Sequence, residues 1–196
     1  PHKIPDYSNL EDALKRALAF WSQQQSTKAK TFFKQALDVI HKSTITCLRI
    51  SDFNTSGLVG SREEYNSPWC NLTKSSGASD KSGSHGGSFG IGKFAPYACS
   101  SLRTVFYSTS DKDGLCASQG VSRLTSFKSK KNEITQGTGF YGNDKNSPMY
   151  KQFSLDPAYS RSAENSGTDI FIAAFNGDKG WQHQMVASVL DGFLYA

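Results

Sequence analysis

The stretch "GGSFGIGKFAPYACS", Gly86 to Ser100, decides how this chain is read. Its first eight residues hold four glycines and a lysine, and an apolar run with the look of a helix start follows at once. Glycines gather where a backbone must come close to another group, since a Cβ would fill the space. The first turn of a helix adds unpaired N–H groups and partial positive charge, so a phosphate is the leading candidate for that group.

Three familiar phosphate loops do not fit. Gly87 and Gly92 followed by Lys93 have Walker A spacing, but Phe94 stands where that loop needs a Ser or Thr for magnesium, and the preceding "SGASDKSGSHG" cannot be a central strand. A protein-kinase glycine loop is followed by V-A-I-K, H-R-D and D-F-G motifs, and none occurs here. A dinucleotide fingerprint requires a third glycine that Gly90 and Gly92 lack. Taken alone, the stretch reads equally as a flexible glycine loop without a ligand.

Working outward, "TITCLRI" (Thr44–Ile50) has the β-branched and apolar content of a strand and leads to Asp52 in "RISDFNTSGL". From there about thirty residues rich in Ser, Gly, Asn and Lys run to Gly87, a length that reads as a lid, a binding loop or disorder. "SLRTVFYST" is a second strand, and "DKDG" (Asp111–Gly114) turns it toward "LCASQGVSRLTSF" as a hairpin. Lys128 to Asn165 is polar and turn-rich, while "TDIFIAAF" (Thr168–Phe175) is an apolar strand. "SNLEDALKRALAFW" places Leu10, Leu14, Ala17, Leu18 and Trp21 on one helical face, with Ser8 and Glu11 as a capping box. A second helix is expected from Thr27 to Lys42 on Phe32, Phe33, Ala36, Leu37 and Ile40, and a closing helix on Met185, Val189 and Phe193. Helices first and interleaved strands after predict an α+β fold.

With 196 residues, 37% hydrophobic content and 20% charge, the chain is expected to form a single domain. No apolar run reaches the roughly 18 residues of a membrane span, and no basic leader precedes an apolar stretch, so a cytoplasmic protein is expected. Cys47, Cys70, Cys99 and Cys116 are too far apart for a zinc C-x-x-C pair and read as buried free thiols of a reducing compartment. Net charge is +5, with one basic run, "FKSKKNE" (Phe127–Glu133), that reads as a solvated turn or, with other cations on the same face, a nucleic-acid contact. A start at Pro1 and an end inside an apolar pattern lead us to expect a piece of something longer.

Asp52 at a strand end, a long loop, a Gly-x-Gly helix start and the Gly167–Thr168 pair opening another strand form a specific ordered set. In this the chain resembles the nucleotide-binding domain of the GHKL superfamily, which includes gyrase-type topoisomerases, ninety-kilodalton heat-shock chaperones, histidine kinases and mismatch-repair ATPases. Within it, "LRISDFNTSGL" and "GGSFGIGKFAPYACSSLRTVFYST" look closest to large bacterial ATP-binding proteins often associated with genome defence or restriction-like systems. The resemblance covers about Thr44 to Phe175. It implies a two-layer Bergerat-type sandwich: a mixed, mostly antiparallel sheet with helices on one face and a long ATP lid from about Val59 to Gly86. Residues 1–43 would be a helical lead-in, 44–175 the nucleotide-binding core and 176–196 a C-terminal helix.

By the same resemblance, Asp52 accepts from the adenine exocyclic amine and Thr168 supports it through its hydroxyl. Asn54 stands where the family has a glycine, and Gly57 with Leu58 comes one residue late; asparagine tolerates left-handed angles, so the turn stays feasible. Gly87, Ser88, Phe89, Gly90, Ile91 and Gly92 form the phosphate box, with Lys93 adding a charge or pointing to solvent. ATP with Mg2+ is the implied ligand, and a homodimer and DNA are the implied partners of the larger system. The family's catalytic Glu-x-x-x-Asn helix is not found upstream of Asp52: Asn9 echoes the asparagine, but Pro5 stands at the glutamate position. Either that helix precedes Pro1 or the protein binds ATP without hydrolysing it. The alternatives are a histidine or protein kinase, for which His41 lacks an acidic neighbour in sequence, and a nucleic-acid interaction module with degenerate nucleotide boxes.

Overall fold

Apolar residues recurring every three or four positions produce two helices in the computed structural model of the protein, α1 (Ser8–Gln23) and α2 (Thr27–Ile40). The structure describes residues 6–24, 26–75, 92–153, 160–161 and 165–194. The capping box expected at Ser8 and Glu11 does not form. Tyr7 is the cap residue and Ser8 already lies in the helix, so its hydroxyl turns back to Asp6 Oδ1 at 2.8 Å. Glu11 instead joins Lys15 and reaches across to His41 beyond the end of α2, at 2.9 Å, so the acidic neighbour absent from the sequence around His41 comes from the other helix. The hydrogen bonds from Lys15 and His41 hold the Glu11 carboxyl below its usual range.

Five strands form one sheet: β1 (Cys47–Ser51), β2 (Thr104–Ser110), β3 (Cys116–Arg123), β4 (Thr138–Tyr141) and β5 (Gly167–Ala173), in the order β1-β5-β2-β3-β4. Every pairing among these strands is antiparallel, so the sheet is not mixed. The β2–β3 hairpin turns where the sequence places it: the Asp111 carboxylate accepts from the N–H groups of Asp113 and Leu115 at 3.0 and 2.9 Å. β4 arises inside the stretch read only as polar turns.

Helices cover both faces of this sheet, not one. Phe106, Phe171 and Ala173 pack on Leu14, Ala17, Phe33 and Ala36 of α1 and α2. Val105, Tyr107, Ala117 and Val121 point the other way, onto Trp69 and Cys70 of α3 (Pro68–Thr73) and Tyr97 of α4 (Ala95–Ala98). The reason lies in the sequence of β2: Val105, Phe106 and Tyr107 are consecutive and all buried, and a strand apolar on both sides needs a cover on each. The first two helices therefore share the main core with the sheet.

α3 falls within the segment expected as a lid, Val59 to Gly86, of which residues 76–86 lie outside the described residues. Trp69 and Thr73 are fully buried and Ser67 caps the helix, its Oγ accepting from the Cys70 N–H at 3.1 Å and donating to the Gly60 carbonyl at 2.8 Å. The part of that segment from Ser67 to Thr73 packs on the sheet while residues 62–66 are exposed, because a tryptophan in a Ser/Gly-rich stretch still buries its ring. Pro96 falls in the first turn of α4, where its missing N–H costs nothing. A last helix, α5 (Trp181–Phe193), follows β5, with Trp181 edge-on to Phe175.

Candidate functional site

Asp52 leaves the end of β1 and is held against the start of β5. Its N–H donates to the Thr168 carbonyl at 3.0 Å, and its Oδ1 accepts from the Thr168 N–H at 2.7 Å and the Thr55 hydroxyl at 2.9 Å. One carboxylate oxygen is thereby fixed, while the other, on an exposed side chain, has no partner among the described residues. Thr168 contributes here through its backbone N–H, not through its hydroxyl. Ile50 and Phe53, both about half exposed, stand beside the carboxylate in sequence.

The loop after Asp52 depends on left-handed backbone. Asn54 has φ +56°, the conformation its short amide side chain tolerates, and Gly57 has φ +62°. A Cβ on Gly57 would stand 2.6 Å from the Ser110 carbonyl oxygen, so glycine is required there twice over. The Leu58 N–H then donates to the Thr109 hydroxyl at 2.9 Å, which itself donates to the Gly167 carbonyl at 3.1 Å. Asp52, Asn54, Gly57, Leu58 and Thr168 are thus gathered at one end of the β1–β5–β2 ribbon by backbone and hydroxyl contacts.

Beneath this junction lies a buried ionic cluster absent from the sequence reading. Arg161, whose side chain is 2% exposed, donates through Nε to Asp169 Oδ2 at 2.7 Å and through Nη2 to Asp169 Oδ1 at 3.0 Å. The same Nη2 reaches the carbonyl oxygens of Asp52 and of Thr168, the latter at 2.9 Å. Arg49 on β1 adds a second cation to Asp169 at 2.8 Å. Burial by itself raises the Asp169 carboxyl, but hydrogen bonds from Arg161, Ser51 and Arg49 outweigh it and hold the group below its usual value. The Arg161 guanidinium also stacks under the Phe53 ring, 4.5 Å from its centroid. The signal for this cluster was an acid in the middle of the apolar run "TDIFIA": a carboxylate on a buried strand demands a cation.

Of the glycine stretch, Gly87, Ser88, Phe89, Gly90 and Ile91 lie outside the described residues. Gly92 opens a single 3-10 turn, Gly92–Phe94, that runs into α4; it is exposed, and a Cβ there would meet nothing within 4 Å. Lys93 turns toward α3, donating to the Asn71 carbonyl at 2.8 Å and the Ser75 hydroxyl at 3.0 Å. Burial and the neighbouring Arg123 charge both lower its pKa. Arg123 closes β3 at the end opposite Ser110, with its guanidinium 4.9 Å from the Phe94 ring. Lys93 therefore serves the last turn of α3, away from the Asp52 junction, as cations do at helix C-termini.

A cavity of about 210 Å³ lies on the α1 side of the sheet, lined by Leu10, Phe106, Phe127 and Tyr141 among others, and none of the sequence-derived candidates faces it. In the basic run, Phe127 is buried and Lys130 pairs with Asp12 of α1 at 3.5 Å. The four cysteines are free, but only Cys70 is buried: Cys47 and Cys116 are half-buried and Cys99 is exposed. No group of three or more His, Cys, Asp or Glu able to hold a metal occurs among the described residues, and no described helix is long and apolar enough to cross a membrane. No family model, no curated protein and no solved structure matches the chain.

Proposed function

We propose that the chain is an ATP-binding domain of GHKL type, in which the free oxygen of Asp52 accepts from the adenine exocyclic amine. The observation that carries the reading is the state of that carboxylate: a rigid, exposed acceptor, anchored through its other oxygen by a residue 116 positions away. A surface aspartate that only caps its own turn does not need a strand of the far half of the chain to aim it. The order of elements supports the same reading. The Asp strand, the Gly-Thr strand and the strand that follows the glycine-led helix start are consecutive neighbours in the sheet, β1, β5 and β2.

The chemistry of the surroundings suits a purine. An amine donor needs an acceptor with a spare lone pair, and Asp52 offers one. Exposed Ile50 and Phe53 offer apolar surface for the ring faces. The glycine-led turn stands by Arg123, at the other end of the β2–β3 hairpin from Asp52, so the adenine contact alone carries the reading. No group of three or more His, Cys, Asp or Glu stands ready for Mg2+ among the described residues, so the metal would be held chiefly by the phosphates of the nucleotide. Hydrolysis likewise has no assigned base, and the domain acts here as a binder, with nucleotide occupancy as the switch for a larger bacterial protein, of the kind found in defence systems.

Calorimetric titration with ATP tests the reading. Wild-type protein should bind, and Asp52→Asn, which replaces the acceptor pair by one acceptor and one donor, should lose at least about tenfold in affinity, the worth of a hydrogen bond to a charged group. Undiminished binding by Asp52→Asn removes the residue from the role; binding to DNA in a salt-sensitive manner without ATP affinity favours the interaction module.

A further inference from the structure

The geometry points to Arg161 as the positioning residue of the Asp52 junction, the group that fixes where the adenine-accepting carboxylate stands; this rests on the reading of Asp52 given above. Asp52 is held in place from β5. Its Oδ1 is held by the Thr168 N–H, and that N–H is placed by the path of β5 at its very start, where Gly167 sits at φ +148°. Strand ends fray, since the last residues lack a full set of ladder partners. Arg161 closes this end. A single Nη2 reaches the carbonyl oxygens of Thr168, at the start of β5, and of Asp52, just past the end of β1, and so clamps the two segments together beside the carboxylate contact.

The clamp is itself immobilised. The Nε and Nη2 groups of Arg161 grip both oxygens of Asp169, two planar groups held in a bidentate fork, and Arg49 holds Asp169 from β1. Phe53 lies over the guanidinium and closes the cluster from above. Every partner of Arg161 among the described residues is therefore either part of the Asp52–Thr168 junction or a group that aims Arg161 at it, with Nη1 left to the Asn165 carbonyl at 3.4 Å. A lysine could keep the charge opposite Asp169, but one ammonium cannot reproduce the planar fork and reach two carbonyls as well.

The test uses Arg161→Lys and Arg161→Met beside Asp52→Asn, with ATP and GTP as ligands and thermal melts as the check on folding. A purine carrying an amine at the exocyclic position should depend on the aim of Asp52, and one carrying a carbonyl there should not. Arg161→Lys should fold and lose about tenfold in ATP affinity, the scale of one charge-assisted hydrogen bond, with GTP affinity unchanged, so the ATP-to-GTP preference falls. Arg161→Met should lose it further. Equal losses for both nucleotides would show a general structural role and overturn the proposal, as would a folded Arg161→Lys with the wild-type preference. Failure of both variants to fold would overturn it too, by making Arg161 a residue of stability alone. Asp52→Asn separates the two layers of argument: if it keeps full ATP preference, the reading of Asp52 falls first; if it loses the preference while Arg161→Lys keeps it, only the positioning role falls.

Discussion

Gly167→Ala is the substitution that presses hardest on the junction. Its backbone φ of +148° is one that side chains rarely adopt, which costs an alanine about 1–3 kcal/mol. The new Cβ would stand 2.4 Å from the Asp52 carbonyl oxygen, 2.6 Å from Asp52 Oδ1 and 2.7 Å from Arg161 Nη1. To restore ordinary contact these groups must retreat by about 1 Å, which stretches the Thr168 N–H to Oδ1 bond and the Arg161 bond to the Asp52 carbonyl. A hydrogen bond to a charged group is worth about 1.5–3 kcal/mol, so strain and weakened bonds together should destabilise the fold by about 3–5 kcal/mol. For a domain of this size that lowers Tm by about 10 °C. Urea and thermal unfolding measure it, with Gly139→Ala as the control. A Cβ at 139 meets nothing within 4 Å, and that variant should stay within about 0.5 kcal/mol of wild type. A Gly167→Ala protein melting within about 2 °C of wild type would refute the tight packing of Asp52 and Arg161 around residue 167.

Further outcomes follow from the packing and the charges. Trp69→Ala should cost about 3–5 kcal/mol in urea unfolding, since the ring is fully buried under α3; a loss below about 1 kcal/mol would mean that α3 does not pack on the sheet. Asp169 has a folded pKa below its unfolded value, so its contribution is present above about pH 4 and lost as pH falls through the folded value. Asp169→Asn should therefore melt well below wild type at pH 7, by about 3–5 kcal/mol in stability, and the gap should close on acidification; a gap equally wide at pH 3 contradicts the ion cluster. Iodoacetamide at pH 8 should label exposed Cys99 first by mass spectrometry. Burial pushes the Cys47 thiol up to about 11, so Cys47 labelling as fast as Cys99 would contradict its half-buried position.

The elements with strong periodicity were legible in the sequence. The two opening helices, the strand before Asp52, the hairpin around Asp111 and the strand from Gly167 all form where apolar spacing and turn residues place them. What sequence could not supply was which face each apolar residue serves. Val105, Phe106 and Tyr107 read as one apolar run, and only their burial on alternate sides shows that the sheet carries helices on both faces. β4 was missed because its four residues, Thr-Gly-Phe-Tyr, are too few to show a period among polar neighbours. Trp69 was absorbed into a loop by the composition around it, although a single large ring outweighs many serines once it is buried. At the site, Asp52 and Thr168 could be singled out through the family resemblance, which rests on their places at two strand ends and on the glycines near them. Arg161 could not: Asp169 on a buried strand calls for a cation, but which cation reaches it, and which backbone carbonyls that cation also meets, depends on the finished fold.

The most direct test is the structure of the protein with a non-hydrolysable ATP analogue. The adenine exocyclic amine is expected about 3 Å from the free oxygen of Asp52, beside Ile50 and Phe53. Adenine bound elsewhere, with Asp52 left facing solvent, would contradict it.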